Sequence, residues 1–338
     1  MTFDERVAAL EPLGFSQRQT QFLVTVALHS GFCLRRHYTA FAGLKYGAGV
    51  RDFLDRLVAR RLARWSQFRP DRGHVYHLHN TGIYAAIHQD DNRNRRRTSP
   101  ALIARKLMVL DYVLSEPAAD WYATEQDKVA LFTTRFGIAA ADLPRRVYVA
   151  RRYEQPNTAR FFIHKLPLFL TGTPPVVSFV VLVTDTTGRV FGQFLEDHLR
   201  LLNRLPLWRI VAVAPKDVRG LAPCTATLQQ FAHNLQTSRA AHEVAALQTY
   251  FATRDRVERN DIKTLSMKDI EQWHKSRRRF AAPEFGELFQ RWKVEGSGAL
   301  RDRGGAPFLA ALAAGRGQLV THELLVGYDR FGTRPGVT

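Results

Sequence analysis

Apolar residues return at helical spacing through most of the first sixty positions. In FSQRQTQFLVTVALHSG, residues Phe22, Leu23, Val26 and Ala27 form one stripe, Ser16 and Gln19 fit a capping box, and Gly31 ends the helix. RRHYTAFAG predicts a short second helix from Arg35 to about Ala42, and Gly43 and Gly47 flank a tight connection. Val50, Phe53, Leu54, Leu57, Val58 and Leu62 recur at i, i+3, i+4 and i+7 and predict a third helix. The period then shortens to two. LARW and HVYHLHN predict the arms of a hairpin around the polar tip SQFRPDRG, and Thr81-Gly82 introduces another helix, GIYAAIHQ.

Residues 90–100, DDNRNRRRTSP, contain no apolar side chain and read as a boundary carrying the run Arg95-Arg96-Arg97. Ser99 and Pro100 fit the N-cap and first turn of ALIARKLMVLDYVLSE, with Leu102, Ile103, Leu110, Val113 and Leu114 on a helical period, and Thr124 caps or precedes TEQDKVALFTTRFG. From about residue 143, PRRVYVA, ARFFIHKLPLFL and VVSFVVLVTDT predict strands, GRVFGQFLEDHLRLLNRL a helix, LWRIVAVAPKD a strand parallel to the one before it, and TATLQQFAHNLQ a helix. The unbroken apolar run VVSFVVLV fits a central strand covered on both faces. The tail reads as amphipathic helices, with QLVTHELLVGYDRFG closing in strand or extended form. The expected fold class is mixed α/β: a helix-and-hairpin unit over 1–90, a basic linker over 91–100, an α/β domain over 101–237 and a mainly helical region over 238–338.

Charge changes the picture. The 338 residues carry 49 Lys and Arg against 31 Asp and Glu, a net +18, with a pI near 10.4. That balance points to a polyanionic partner. The first 97 residues hold 16 basic and 8 acidic side chains, so the shortest third has the largest surplus. GC-rich codon usage explains Arg over Lys but not the net sign. The two cysteines, Cys33 and Cys224, lack metal-ligand spacing and argue against a disulfide framework. No apolar run has the length of a membrane span, and the acidic, amphipathic N-terminus is unlike a signal peptide, so the expected location is cytoplasmic and nucleoid-associated.

The order helix, short helix, helix, strand, basic loop, strand gives these elements a meaning. LVARRLARWSQFRPDRGHVYHLHNTG resembles the third helix and wing of bacterial winged-helix regulators. The resemblance implies a winged helix-turn-helix whose third helix enters the major groove while the wing lies on phosphates or in the minor groove. On that basis Lys45, Tyr46, Arg51 and Asp55 face bases, and Arg69, Arg72 and His74 form the wing contact. Arg35, Arg36 and His37 support from the second helix, Arg60, Arg61 and Arg64 touch phosphates, and Arg95, Arg96 and Arg97 are either a solvated linker or a phosphate-binding arm. Together with TDTTGRVFGQFLEDHLRLLNRLPLWRIVAVAP, the chain resembles replication-relaxation proteins of bacterial plasmids and integrative elements, whose second domain is similar to a degenerate restriction-endonuclease-like fold. The resemblance implies sequence-specific binding of double-stranded DNA by an accessory of replication, transfer, recombination or transcription regulation. It carries over no catalytic residue. Further expected partners are a second copy of the chain, paired through the tail helices, and proteins of a mobile-element complex; no cofactor and no membrane are expected.

Two other classes compete. His77-Leu78-His79, near Tyr76 and Tyr84, resembles the metal-binding pair of rolling-circle initiators and relaxases, yet an alternating wing strand would produce the same letters. A metal-dependent nuclease needs a strand-end acid and an acid-x-Lys triplet. Asp185 is the only strand-end candidate; His164 and Lys165 lack a carboxylate, Glu125 and Lys128 lie on a helix, Glu196 and Asp197 are adjacent on one, and Asp261-Ile262-Lys263 falls in helix or loop. No catalytic constellation is complete, so no catalytic and no metal-binding residue is assigned. The third class is a protein-interaction module of a recombination or defence complex. Trp65, Trp121, Trp208 and Trp273 are expected in the core, and Arg151-Arg152 and Arg277-Arg278-Arg279 are solvated faces or extensions of a phosphate track.

Overall fold

The computed structural model describes residues 1–45, 47–67, 73–148, 158–216, 220–261, 265–301 and 305–328. The molecule is mixed α/β. Its first unit runs α1 (Phe3–Leu10), α2 (Gln17–His29), β1 (Phe32–Cys33), α3 (Arg35–Ala42), α4 (Ala48–Ala59), β2 (Ala63–Gln67), β3 (His74–Leu78) and α5 (Thr81–Ala86). The Ser16–Gln19 capping box that starts α2 satisfies donors of the first turn reciprocally. Phe22, Phe53 and Leu54 are fully buried, and Tyr38 packs 4.4 Å from Phe53, so the stripes of α2, α3 and α4 meet in one core. The strands order β1-β3-β2, all antiparallel. The expectation that Trp65 is a core residue fails: it is 51 % exposed. It sits on the edge strand β2, opposite Tyr76, on a strand whose residues from Trp65 to Gln67 are exposed.

The span 91–100, expected as a linker, is built into the molecule. Arg93–Arg95 form a 3-10 turn. The Asn94 amide donates to the carbonyls of Ala27 (2.9 Å) and Leu28 (3.0 Å), satisfying the C-terminal end of α2. A Cβ at Gly31, whose φ is +76°, would overlap the Asn94 carbonyl, so glycine is required there for both conformation and close approach.

The second unit begins with α6 (Pro100–Ser115), capped by Ser99, then β4 (Asp120–Tyr122), α7 (Glu125–Ala130), which Thr124 caps, β5 (Arg145–Tyr148), β6 (Thr158–Phe161), β7 (Leu168–Thr171), β8 (Val176–Leu182), α8 (Arg189–Arg204), β9 (Trp208–Ala214) and α9 (Leu221–Gln236). The stretch ARFFIHKLPLFL is not one strand. Phe162 and Lys165 adopt left-handed φ values of +48° and +52°, which turns the chain between β6 and β7. Then follow α10 (Ser238–Glu258), α11 (Met267–Arg279), α12 (Pro283–Glu295), α13 (Gly298–Arg301), α14 (Ala306–Ala313) and β10 (Gly317–Glu323).

The main sheet orders β10-β9-β8-β7-β4, with β8, β9 and β10 parallel and β7 and β4 antiparallel. Alternation along β8 sends Phe179 and Val181 to the layer of α8 and α14, and Val180 and Leu182 to α6. The sheet therefore ignores the expected boundary at 237/238. Trp208 is fully buried and stacks 5.1 Å from Phe308 of α14, and a Cβ on Gly317 of β10 would overlap the Trp208 ring. Only the middle of the tail is a helical unit of its own, around Leu247, Phe251, Leu288 and Phe289.

Candidate nucleic-acid interface

The first two units are joined by buried charge. Arg6 of α1 meets Asp127 of α7 at 2.9 Å. Asp111 of α6 receives Arg36 in bidentate form, the His37 Nε2–H (2.8 Å) and the Tyr328 hydroxyl. The Leu34 N–H donates to His37 Nδ1 at 3.0 Å, so the ring is neutral and its Nε2 is the donor. Burial alone would raise the Asp111 carboxyl, but hydrogen bonds from His37 and Arg36 hold it well below the usual carboxylate range. Arg36 and His37 therefore hold α3 against α6, and His37, 1 % exposed, does not reach a ligand at the surface. Their supporting role is internal, directed at Asp111 and not at a duplex.

The remaining expected residues divide by environment. Arg35 donates from Nε to the Tyr76 hydroxyl (3.3 Å) and lies 3.1 Å from His74 Nδ1, while the Trp65 and His74 rings sit 4.3 Å apart. This puts Arg35, His74 and Trp65 on one face of the hairpin. On α4, Arg51 and Asp55 are exposed. With 100° per residue the outermost line of that helix is Ala48, Asp52, Asp55 and Ala59, with Arg51 beside it. Arg60 is drawn back to the Leu13 carbonyl and over the Phe15 ring (5.1 Å). Lys45, Arg61, Arg96 and Arg97 are exposed, and Arg95 donates from Nε to the Asp90 carbonyl (2.9 Å). Tyr46, Arg69 and Arg72 lie outside the described residues, as do Arg151, Arg152, Ile262 and Lys263.

Arg64 donates to His77 Nδ1 at 2.9 Å, and His77 Nε2–H donates to the Asn94 carbonyl at 3.0 Å. Both imidazole nitrogens are thus committed, and burial pushes His77 down to about 4. A metal ligand needs a free ring lone pair, so the His77–His79 pair does not offer a bidentate site. Asp185 accepts from the Thr187 hydroxyl (2.6 Å) and from the Arg189 N–H (3.0 Å), which makes it a cap for the start of α8. Among the described residues no three His, Cys, Asp or Glu side chains converge as a metal centre requires.

Among the described residues, the cations beyond position 120 with a carboxylate partner include Arg135, Arg145, Arg204, Arg254, Arg259, Arg291 and Lys293. Among the described residues of the first 97, the Arg ion pairs with carboxylates are those of Arg6 and Arg36, and both reach into the second unit. Sequence reasoning missed Asp111 and Asn94. Asp111 had a visible cue, a carboxylate inside the apolar run LMVLDYV; Asn94 had none within its arginine run.

No helix among the described residues is long and apolar enough to cross a membrane. Compared with known protein families, curated proteins and solved structures, the chain matches none.

Proposed function

We propose that the protein binds double-stranded DNA in a sequence-specific manner, as an accessory of a bacterial mobile element of the replication-relaxation type. The observation that carries this reading is the set of exposed N-terminal cations, Lys45, Arg51, Arg61, Arg96 and Arg97, which have no carboxylate partner among the described residues. Unpaired fixed cations raise the self-energy of the free protein and are relieved by phosphates. The helices α2 to α4 with the β2–β3 hairpin support a winged-helix reading, and the sheet with helices on both faces supports a degenerate nuclease-like second unit.

The outer line of α4 constrains how bases are read. Asp52 and Asp55 can enter a major groove only opposite donors, and the cytosine N4 amino group is the donor such carboxylates accept from. Selection of bound duplexes from a random pool, followed by anisotropy titrations over a salt series, tests this. The expected result is a preferred site rich in G·C pairs under α4, with log K falling linearly in log salt. Asp55→Ala and Arg51→Ala should each cost about 1–3 kcal/mol at that site and relax one position. Absence of duplex binding at low salt overturns the reading.

A further inference from the structure

We propose that Arg93, Arg96 and Arg97, together with Arg160 and Lys165 of the α/β unit, form a fixed track for the phosphate backbone of a duplex, so that DNA engaged by the first unit is also held by the second. This rests on the duplex-binding reading above and extends it from the arginine run to Arg93, Arg160 and Lys165, for which the sequence suggested no part in DNA binding.

The track is held in place from below. Asn94 is bonded to the end of α2 through its amide, accepts His77 Nε2–H at its carbonyl, and accepts the Lys106 ammonium at Oδ1 (2.9 Å). Arg64 completes the chain on the far side of His77, whose ring stacks on Phe32 at 4.1 Å and 5°. Lys106 lies over the other partner of that stack, 5.2 Å from the Phe32 centroid. Two cations thus bracket a stacked pair, and the arginine segment rides on top of it. Leu166 packs against the same apolar cluster as Phe32, Ile103 and Leu107, which brings its neighbour Lys165 to the Asn94–Lys106 block, and the left-handed turn Phe162–Lys165 fixes its backbone, with the Lys165 N–H bonded to the Phe162 carbonyl at 2.8 Å.

The charges act on one another. Burial lowers the Lys165 ammonium below its usual range, and Arg93, Arg160 and Arg96 lower it further. Glu125 acts against them, and its Oε1 is already taken by the Phe161 N–H (2.8 Å). Burial and Lys165 together bring Lys106 to about 8, and burial and Arg97 lower Arg64 in the same sense. None of Arg93, Arg96, Arg97, Arg160 and Lys165 has an ion-pair partner among the described residues. Residues 90–99 supply no apolar side chain, so the surface lacks the buried anchor that a protein partner would need. Repeated point charges on a rigid frame suit a polyphosphate backbone.

The test uses the full-length chain, a fluorescein-labelled 30-base-pair duplex of random sequence, and anisotropy titrations from 50 to 300 mM salt. Arg93→Gln/Arg96→Gln/Arg97→Gln is expected to reduce the salt slope by about 2 to 3, and Lys165→Gln by about 1. Arg259→Gln, at the C-terminal cap of α10, should leave the slope as in the parent. Thermal melts identify any variant that loses its fold, and Lys165→Gln, an exposed single change, then decides. Duplex binding with the parental slope in both the triple variant and Lys165→Gln overturns the track while leaving the proposed function standing. Failure of the parent chain to bind the duplex at 50 mM salt overturns both. Poly-L-glutamate competing as well as duplex at equal charge assigns the surface to an acidic protein and overturns the track.

Discussion

At His198 the imidazole is buried, stacks on Phe194 at 3.9 Å and donates from Nδ1 to the Phe194 carbonyl (2.9 Å). Burial lowers it to about 3, and burial lowers His77 to about 4. In the unfolded chain both titrate near 6.5. As pH falls below that value the unfolded state takes up protons that the folded state refuses, so stability is lost from about pH 6.5 down to about 4. Each group contributes up to about 1.4 kcal/mol per pH unit in that window. His29 and His37 are lowered by burial as well, so urea unfolding between pH 7 and 5 should show the summed slope, and His198→Phe should remove its share of it. An unchanged slope in that variant would mean the ring is charged in the fold. Lys128 shows the same logic in a higher window: 1 % exposed, it donates to the Leu166 carbonyl at 2.7 Å and is brought by burial to about 7, so the stability linked to it is lost as pH falls from about 10.5 to about 7. Neither residue is marked in the sequence, where both occur on ordinary amphipathic helices.

At the scale of elements, α6 is the piece on which the rest turns. One face lies on the sheet through Leu107 and Val113, and Asp111 on the same helix binds α3 and Tyr328. Asp111→Asn leaves the half-buried Arg36 without its counter-charge, and the expected loss is about 3 kcal/mol in urea unfolding. Tyr328→Phe removes one bond of the cluster and should cost about 1 kcal/mol. Equal, small effects would show that the cluster is solvated. The helices themselves were legible because each has its own signals: Ser16 and Gln19 start α2, Ser99 and Pro100 start α6, and Thr124 starts α7, all as the residue types predict. The turn between β6 and β7 was not legible, because Phe162 and Lys165 are residue types that seldom adopt left-handed backbone.

At the scale of the whole molecule, the strand that closes the sheet comes from the far end of the chain. β10 pairs in parallel with β9 from Gly317↔Trp208 to Glu323↔Ala214, and α14 covers Trp208. A chain ending at residue 237 exposes the edge of β9 and the Trp208 ring. It is expected to lose cooperative unfolding by circular dichroism and to aggregate, where the boundary read from the sequence predicts an independent domain. A sharp thermal transition in that fragment would restore the boundary.

Local order was written in the sequence. Capping residues, helical and alternating periods, and the apolar strand VVSFVVLV depend on neighbours within a few positions, so the α/β class and most of the longer elements could be read from the letters, while α1 and the short strands β1 and β4 could not. The charge surplus of the first 97 residues was equally plain. Which cations face solvent and which are spent inside was decided only in three dimensions. Arg36 and Arg97 are the same residue type in similarly basic runs, yet one meets Asp111 from 75 positions away and the other meets no carboxylate. Electrostatic pairing depends on distance in space, and a linear chain does not encode that distance at any fixed spacing.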